Sequence, residues 1–304
     1  MPRPNVYTRM NPPQPGDLAG AGRRFLAEGD SWFTLGTLTA GQGTNVLLEL
    51  QFRQQNAVMS WAYPGDTLQR MVDAVNDPDF DRALWNRHGG NFASFWEAIL
   101  LSAGGNDLIA AAEVPAVLDG KPVPPRLRLF LTAAEAAALP PGPLTRISND
   151  GWATLTNHLL ANFRELLDRK SRGPSAASPL ILHTYATPAP RPSGLTPSSE
   201  GWLYAAMKAY GIPLAEMTPI CNELFGRLRR FLMSLDQASG HAHALPTVHV
   251  FDSAGLTTID PAAPGAPGHS GDWVNEIHLS ARGYRKMSPA FGKFIDDVVD
   301  HVFP

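Results

Sequence analysis

Apolar residues fall along this chain in two alternating kinds of segment. Short runs without strict alternation lie at Arg24–Glu28, Ala57–Tyr63, Ala98–Ala103, Pro179–Tyr185 and Thr247–Phe251. Runs of this kind suit strands buried on both faces of a parallel sheet. Between them apolar residues recur every three or four positions. Asp150–Lys170 places Trp152, Leu155, Leu159, Phe163 and Leu166 on one stripe, and Thr218–Leu235 does the same with Ile220, Leu224, Leu228, Phe231 and Leu235, so both are expected to be amphipathic helices. A last helix is expected from Ser280, a suitable N-cap, with Tyr284, Met287, Phe291, Phe294, Val298 and Val302 on its inner face. Shorter helices are expected over Asn45–Arg53 and Thr67–Val75. The alternation predicts an α/β protein around a central, mainly parallel, five-stranded sheet.

Composition sharpens that picture in a few places. The chain has 304 residues, 44% of them hydrophobic, enough for a substantial core. Residues 1–22, rich in proline and glycine, are expected to form a surface tail, and residues 23–304 a single domain with an insertion at about 113–147. Lys and Arg number 25 against 28 Asp and Glu, so the basic excess of a nucleic-acid-binding protein is missing. Cys221 is the only cysteine, which excludes an intramolecular disulfide and a cysteine-based zinc site. Its place in the apolar 218–235 stripe points to a buried thiol. The start has no apolar signal-like stretch, and no run of about 18 apolar residues occurs, so a cytoplasmic protein without stable membrane insertion is expected.

Candidate chemistry gathers in four blocks, each after an expected strand or before an expected helix. They are Gly29-Asp30-Ser31-Trp32, Tyr63-Pro64-Gly65-Asp66, Gly104-Gly105-Asn106-Asp107 and Trp273-Val274-Asn275-Glu276-Ile277-His278. In an open parallel sheet the carboxyl ends of the strands share one edge, where ligands bind. Ser31, Gly65 and Asn106 would therefore converge there. A serine hydroxyl needs a base to become a nucleophile, and His278 is the obvious one. A tetrahedral intermediate needs donors for its oxyanion, and the Ser31 and Gly65 backbone N–H groups with the Asn106 amide could supply three. Asp30 reads as structural, because a carboxylate beside the nucleophile would repel the developing oxyanion. Trp32, Tyr63 and Trp273 flank the site and are weak candidates for substrate contact, since aromatic residues at such positions more often belong to the core. The histidines at 241, 243 and 249 have no acidic or cysteine ligand at suitable spacing, and no metal site is expected.

These blocks, in this order, resemble the SGNH/GDSL hydrolase superfamily. FLAEGDSW, ILLSAGGND and W-x-N-E-I-H are similar to a bacterial branch of it, from about residue 24 to the end. The resemblance implies a flavodoxin-like α/β/α sandwich of three layers and a cofactor-free serine esterase or lipase acting through an acyl-enzyme. It implies Ser31 as nucleophile, His278 as base, and Ser31, Gly65 and Asn106 as the oxyanion hole. The substrate class would be a small ester, a lipid or an acylated sugar. The departure is Asn275, which stands where the family has Asp, three residues before the histidine. An amide oxygen there could still accept the His Nδ1 proton, whereas an amide NH₂ facing Nδ1 would disable the base. Asp272 or Glu276 could substitute for the missing acid, a Ser–His dyad could suffice, or the chain could be a weakened or inactive binding protein. A carbohydrate O-deacetylase or acyltransferase is a further alternative.

Overall fold

The computed structural model describes residues 1–14, 16–34, 43–85, 95–142, 144–196 and 198–304, with Leu256 described by its backbone alone. Within them the strands are β1 (Asn5–Thr8), β2 (Arg24–Gly29), β3 (Ala57–Ser60), β4 (Ala98–Ser102), β5 (Val117–Leu118), β6 (Lys121–Pro122), β7 (Leu180–His183) and β8 (Val248–Phe251). The helices are α1 (Ser31–Thr34), α2 (Val46–Glu49), α3 (Leu68–Val72), α4 (Pro78–Leu84), α5 (Gly105–Glu113), α6 (Ala133–Ala137), α7 (Asn149–Ser171), α8 (Trp202–Ala209), α9 (Leu214–Ser234), α10 (Ser253–Leu256) and α11 (Ala281–Val302).

The central sheet runs β1-β3-β2-β4-β7-β8, with every pairing parallel. Every residue of β3, β4 and β7 is buried, which requires cover on both faces. The helices supply it in two groups, α2 packing with α11, and α3, α5, α7 and α8 packing against one another. The sheet has six strands rather than the expected five. The extra one, β1, lies within residues expected to form a tail and pairs with β3 in register Asn5↔Ala57 to Thr8↔Ser60. Its four residues make too short a run to stand out from the surrounding prolines, and it takes the edge position.

Without β1 the order is β3-β2-β4-β7-β8, the 2-1-3-4-5 order of flavodoxin-like sheets. After β2 the chain moves to one side for β3 and then to the other for β4. The carboxyl end of β2 is therefore the switch point at which such sheets bind ligands. Between α5 and α7 lie the small antiparallel ribbon β5–β6 and α6, whose start is closed by a Thr132/Glu135 capping box. Two helices are shorter than the apolar spacing predicts. After α2 the Phe52 N–H bonds the Pro2 carbonyl and the Arg53 N–H bonds Asp296, so the N-terminal segment and α11 take the donors a longer helix would use. After α3 the Asp73 carboxylate accepts from the Val75 N–H and turns the chain away.

Candidate active site

Ser31 opens the single turn of α1 directly after β2, at the switch point. Asp30 shapes that turn, its Oδ1 accepting from the Trp32 N–H at 2.9 Å and its carbonyl from the Phe33 N–H at 3.1 Å. The second block joins the first through the Tyr63 N–H, which donates to the Gly29 carbonyl at 2.9 Å. Residues 63–66 form a tight turn closed by Asp66 N–H to Tyr63 carbonyl, with Pro64 second and Gly65 third at φ +84°. That third position of a type II turn requires positive φ, so glycine fits and a branched side chain would not. Asn106 Nδ2 donates to the Asp66 carbonyl at 3.0 Å, and Asp107 accepts from the Leu68 N–H at 3.0 Å. The third block thereby holds the second. One Asn106 N–H is used in this way, and the amide has a second.

The fourth block is a closed loop. Val274 N–H bonds the His278 carbonyl at 2.9 Å, and the Ser280 N–H bonds the Asp272 carbonyl at 2.6 Å, just before Ser280 caps α11. Inside the loop the Asn275 Oδ1 accepts from the Ile277 N–H at 3.2 Å and the His278 N–H at 2.9 Å. A backbone N–H only donates, so two of them converging on one atom identify it as the amide oxygen. The same oxygen lies 3.0 Å from His278 Nδ1. Nδ1 must therefore carry the proton, which leaves Nε2 bare, and Nε2 lies 2.7 Å from Ser31 Oγ. The hydroxyl donates and the imidazole accepts. A serine hydroxyl and a neutral imidazole in this contact are placed for proton transfer between them. Burial pulls the His278 pKa down to about 4, so the imidazole is neutral at ordinary pH.

No protein-family model matches the chain, and no curated protein matches it. Solved structures are similar to it at low identity. An extracellular lipase from Streptomyces rimosus is 13% identical, with a TM-score of 0.47 over 92% of this chain and 100% of the lipase. A carbohydrate acetylesterase family member from Sinorhizobium meliloti is 13% identical, with a TM-score of 0.45 over 91% of this chain and 99% of that one. The aryl esterase of M. smegmatis is 12% identical, with a TM-score of 0.41 over 91% and 100%.

The other candidate residues divide. Asp272 does not substitute for the missing acid: its carboxylate accepts from Arg282 Nε and Lys286 Nζ, each at 2.6 Å, and from the Asp260 N–H at 2.7 Å. It fastens the start of α11 to the 260–272 loop. Glu276 faces away from the histidine and accepts from the backbone N–H groups of Leu203 and Tyr204 at 2.8 Å each, at the start of α8. Trp273 is 1% exposed and packs in the core rather than facing substrate. Trp32 lines the cavity beside Ser31, and its indole N–H donates to the Ile277 carbonyl at 3.2 Å. Tyr63 is exposed and lines a neighbouring cavity with Phe33, Thr34 and Pro64.

Several residues escape the sequence pattern. Trp202 meets the His278 ring edge-on at 5.6 Å. Arg191, fully buried, donates to the carbonyls of Asn275 and Gly268 and so braces the fourth block. Asp30 also accepts from Tyr185 at 2.6 Å and from Ser102 at 2.9 Å, and Ser102 Oγ lies 3.0 Å from His183 Nε2. That is a Ser–His–Asp contact apart from the Ser31–His278 pair, but it is sealed. Ser102 and His183 are buried, with the rings of Trp32, Phe33, Tyr185 and Phe291 around His183. A substrate carbonyl cannot reach it, and the network supports the α1 turn from below. His183 ends β7 and Tyr185 follows it at the ligand-binding edge, the one sequence signal that could have drawn attention to them.

Proposed function

We propose that this chain is a serine ester hydrolase of the SGNH/GDSL type. The observation that carries the reading is the 2.7 Å contact between Ser31 Oγ and a His278 whose tautomer is set by the Asn275 oxygen. Ser31 Oγ bonds to the ester carbonyl carbon as its proton passes to His278 Nε2. The N–H groups of Ser31 and Gly65 and the second Asn106 N–H meet the tetrahedral oxyanion. Collapse breaks the bond to the alcohol oxygen, which departs with the proton from His278. Water then gives a proton to His278 and attacks the acyl carbon, releasing a carboxylic acid and the Ser31 hydroxyl. In this mechanism Asn275 orients the histidine and contributes no charge.

The reading of a disabled site is not favoured. In a serine protease the equivalent Asp-to-Asn change costs about 10⁴ in turnover through the wrong tautomer. Here the two backbone donors on Asn275 Oδ1 force the productive one. The test is hydrolysis of p-nitrophenyl acetate by the intact chain and by Ser31→Ala. Turnover is expected in the first and only background in the second, and equal rates would refute the proposal. Among the described residues no helix is long and apolar enough to cross a membrane.

A further inference from the structure

Tyr185 touches the first and the third motif blocks at once and belongs to neither. It is buried and lines the cavity beside Ser31 together with Asn106. Its hydroxyl donates to Asp30 Oδ2 at 2.6 Å, while Asp30 Oδ1 accepts from the Trp32 N–H at 2.9 Å. Asp30 and Trp32 flank Ser31 in the chain, so the bond reaches the nucleophile's turn through both neighbours. The Tyr185 ring also meets the Trp32 indole edge-on at 5.1 Å. The same ring lies against Gly105, the first residue of α5, where a Cβ would come within 2.9 Å of Cζ and 3.0 Å of Cε1. Carbon atoms pack best at about 3.5–4.0 Å, so a side chain at 105 would push the ring away. The residue after Gly105 is Asn106.

The chain is held on either side of Tyr185. The Thr184 N–H donates to the Phe251 carbonyl at the end of β8 at 3.0 Å, and the Cys221 thiol of α9 donates to the Pro188 carbonyl at 3.3 Å. The first block is bonded to the second through the Tyr63 N–H, and the second to the third through Asn106. Tyr185 closes this circuit between the third block and the first. Oxyanion donors act only where the charge develops, so the spacing of these blocks matters to the rate. Resting on the ester-hydrolase reading, we propose that Tyr185 is a positioning residue, which bridges Asp30 and Gly105 and so sets the distance between Ser31 and the Asn106 amide that meets the oxyanion.

Steady-state hydrolysis of p-nitrophenyl acetate tests this on the intact chain, Ser31→Ala, Tyr185→Phe, Asn106→Ala and the double variant, with thermal unfolding to confirm that each is folded. Tyr185→Phe keeps the ring and removes the bond to Asp30. A misplacement of about 1 Å can cost about 10²-fold, so kcat is expected to fall about 10- to 100-fold with KM within about threefold. Because Tyr185 acts through Asn106, the same substitution in the Asn106→Ala background is expected to cost less than about threefold. A merely structural weakening would cost the same factor in both backgrounds. Gly105→Ala, which drives a methyl group into the ring, is expected to lower kcat in the same way, and it reads the same spacing if Tyr185→Phe does not fold. Equal factors in the two backgrounds, an unchanged kcat in Tyr185→Phe, or a rise in KM alone overturns the positioning role and leaves the hydrolase reading standing. Absence of Ser31-dependent turnover in the intact chain overturns both.

Discussion

At the scale of single residues, the unusual feature is that the histidine proposed as base is held by an amide. Two backbone donors and Nδ1 share the Asn275 oxygen, so the amide sets geometry and tautomer while leaving the imidazolium without a counter-charge. Burial holds the His278 pKa near 4. Activity requires the neutral ring, so kcat/KM is expected to hold from neutral pH down to about pH 5 and to fall only below that. Asn275→Asp places a carboxylate beside Nδ1–H, which favours the charged ring and raises its pKa. The acid limb is then expected to move up by roughly 1–3 pH units, with a higher rate on the plateau. An unchanged limb in the variant would show that the ring is not the titrating group. Asn106→Ala removes one oxyanion donor and the tie to the Asp66 carbonyl, and a loss of about 10²–10³ in kcat is expected.

At the scale of elements, the site is a set of loops bound to one another across the carboxyl edge of the sheet. Asp272 illustrates how a site element is anchored without taking part in the chemistry. Asp272→Asn removes ion pairs with Arg282 and Lys286 and weakens the acceptor for the Asp260 N–H. Arg282 is largely exposed, so its pair contributes little, and most of an expected loss of about 1–3 kcal/mol comes from the buried carboxylate's contacts. Thermal unfolding should show the loss, while esterase activity should stay within about threefold, as for a substitution that does not touch the reacting groups. A drop of several orders of magnitude in activity would restore Asp272 as the acid partner. The four motif blocks were legible in the sequence because each chemistry-bearing residue stands at a strand end or helix start. The supports were not. Arg191 and Trp202 lie outside the motif blocks, and their roles, like that of Glu276 within the fourth block, come from long-range contacts that spacing does not encode. The choice between Asn275, Asp272 and Glu276 as the partner of His278 was equally hidden, since it depends on which way a loop folds back.

At the scale of the whole molecule, five strands and the three long helices followed from apolar runs and stripes, and the parallel order of the sheet places its switch point under Ser31. The sixth strand, β1, was missed because four residues at an edge bury too little to show a pattern. Its pairing covers the outer edge of β3. Deleting residues 1–8 would leave that edge open, and lower thermal stability with concentration-dependent association is expected. Unchanged unfolding and a monodisperse profile on size-exclusion chromatography would show that β1 contributes nothing to the sheet.

The central claim is that Ser31, and not the sealed Ser102, is the nucleophile. Methanesulfonyl fluoride sulfonylates an activated serine hydroxyl. After incubation, intact-mass measurement followed by peptide mapping should find a single adduct on Ser31, lost in Ser31→Ala and in unfolded protein. An adduct on Ser102, or none on Ser31 in the folded chain, would contradict the account.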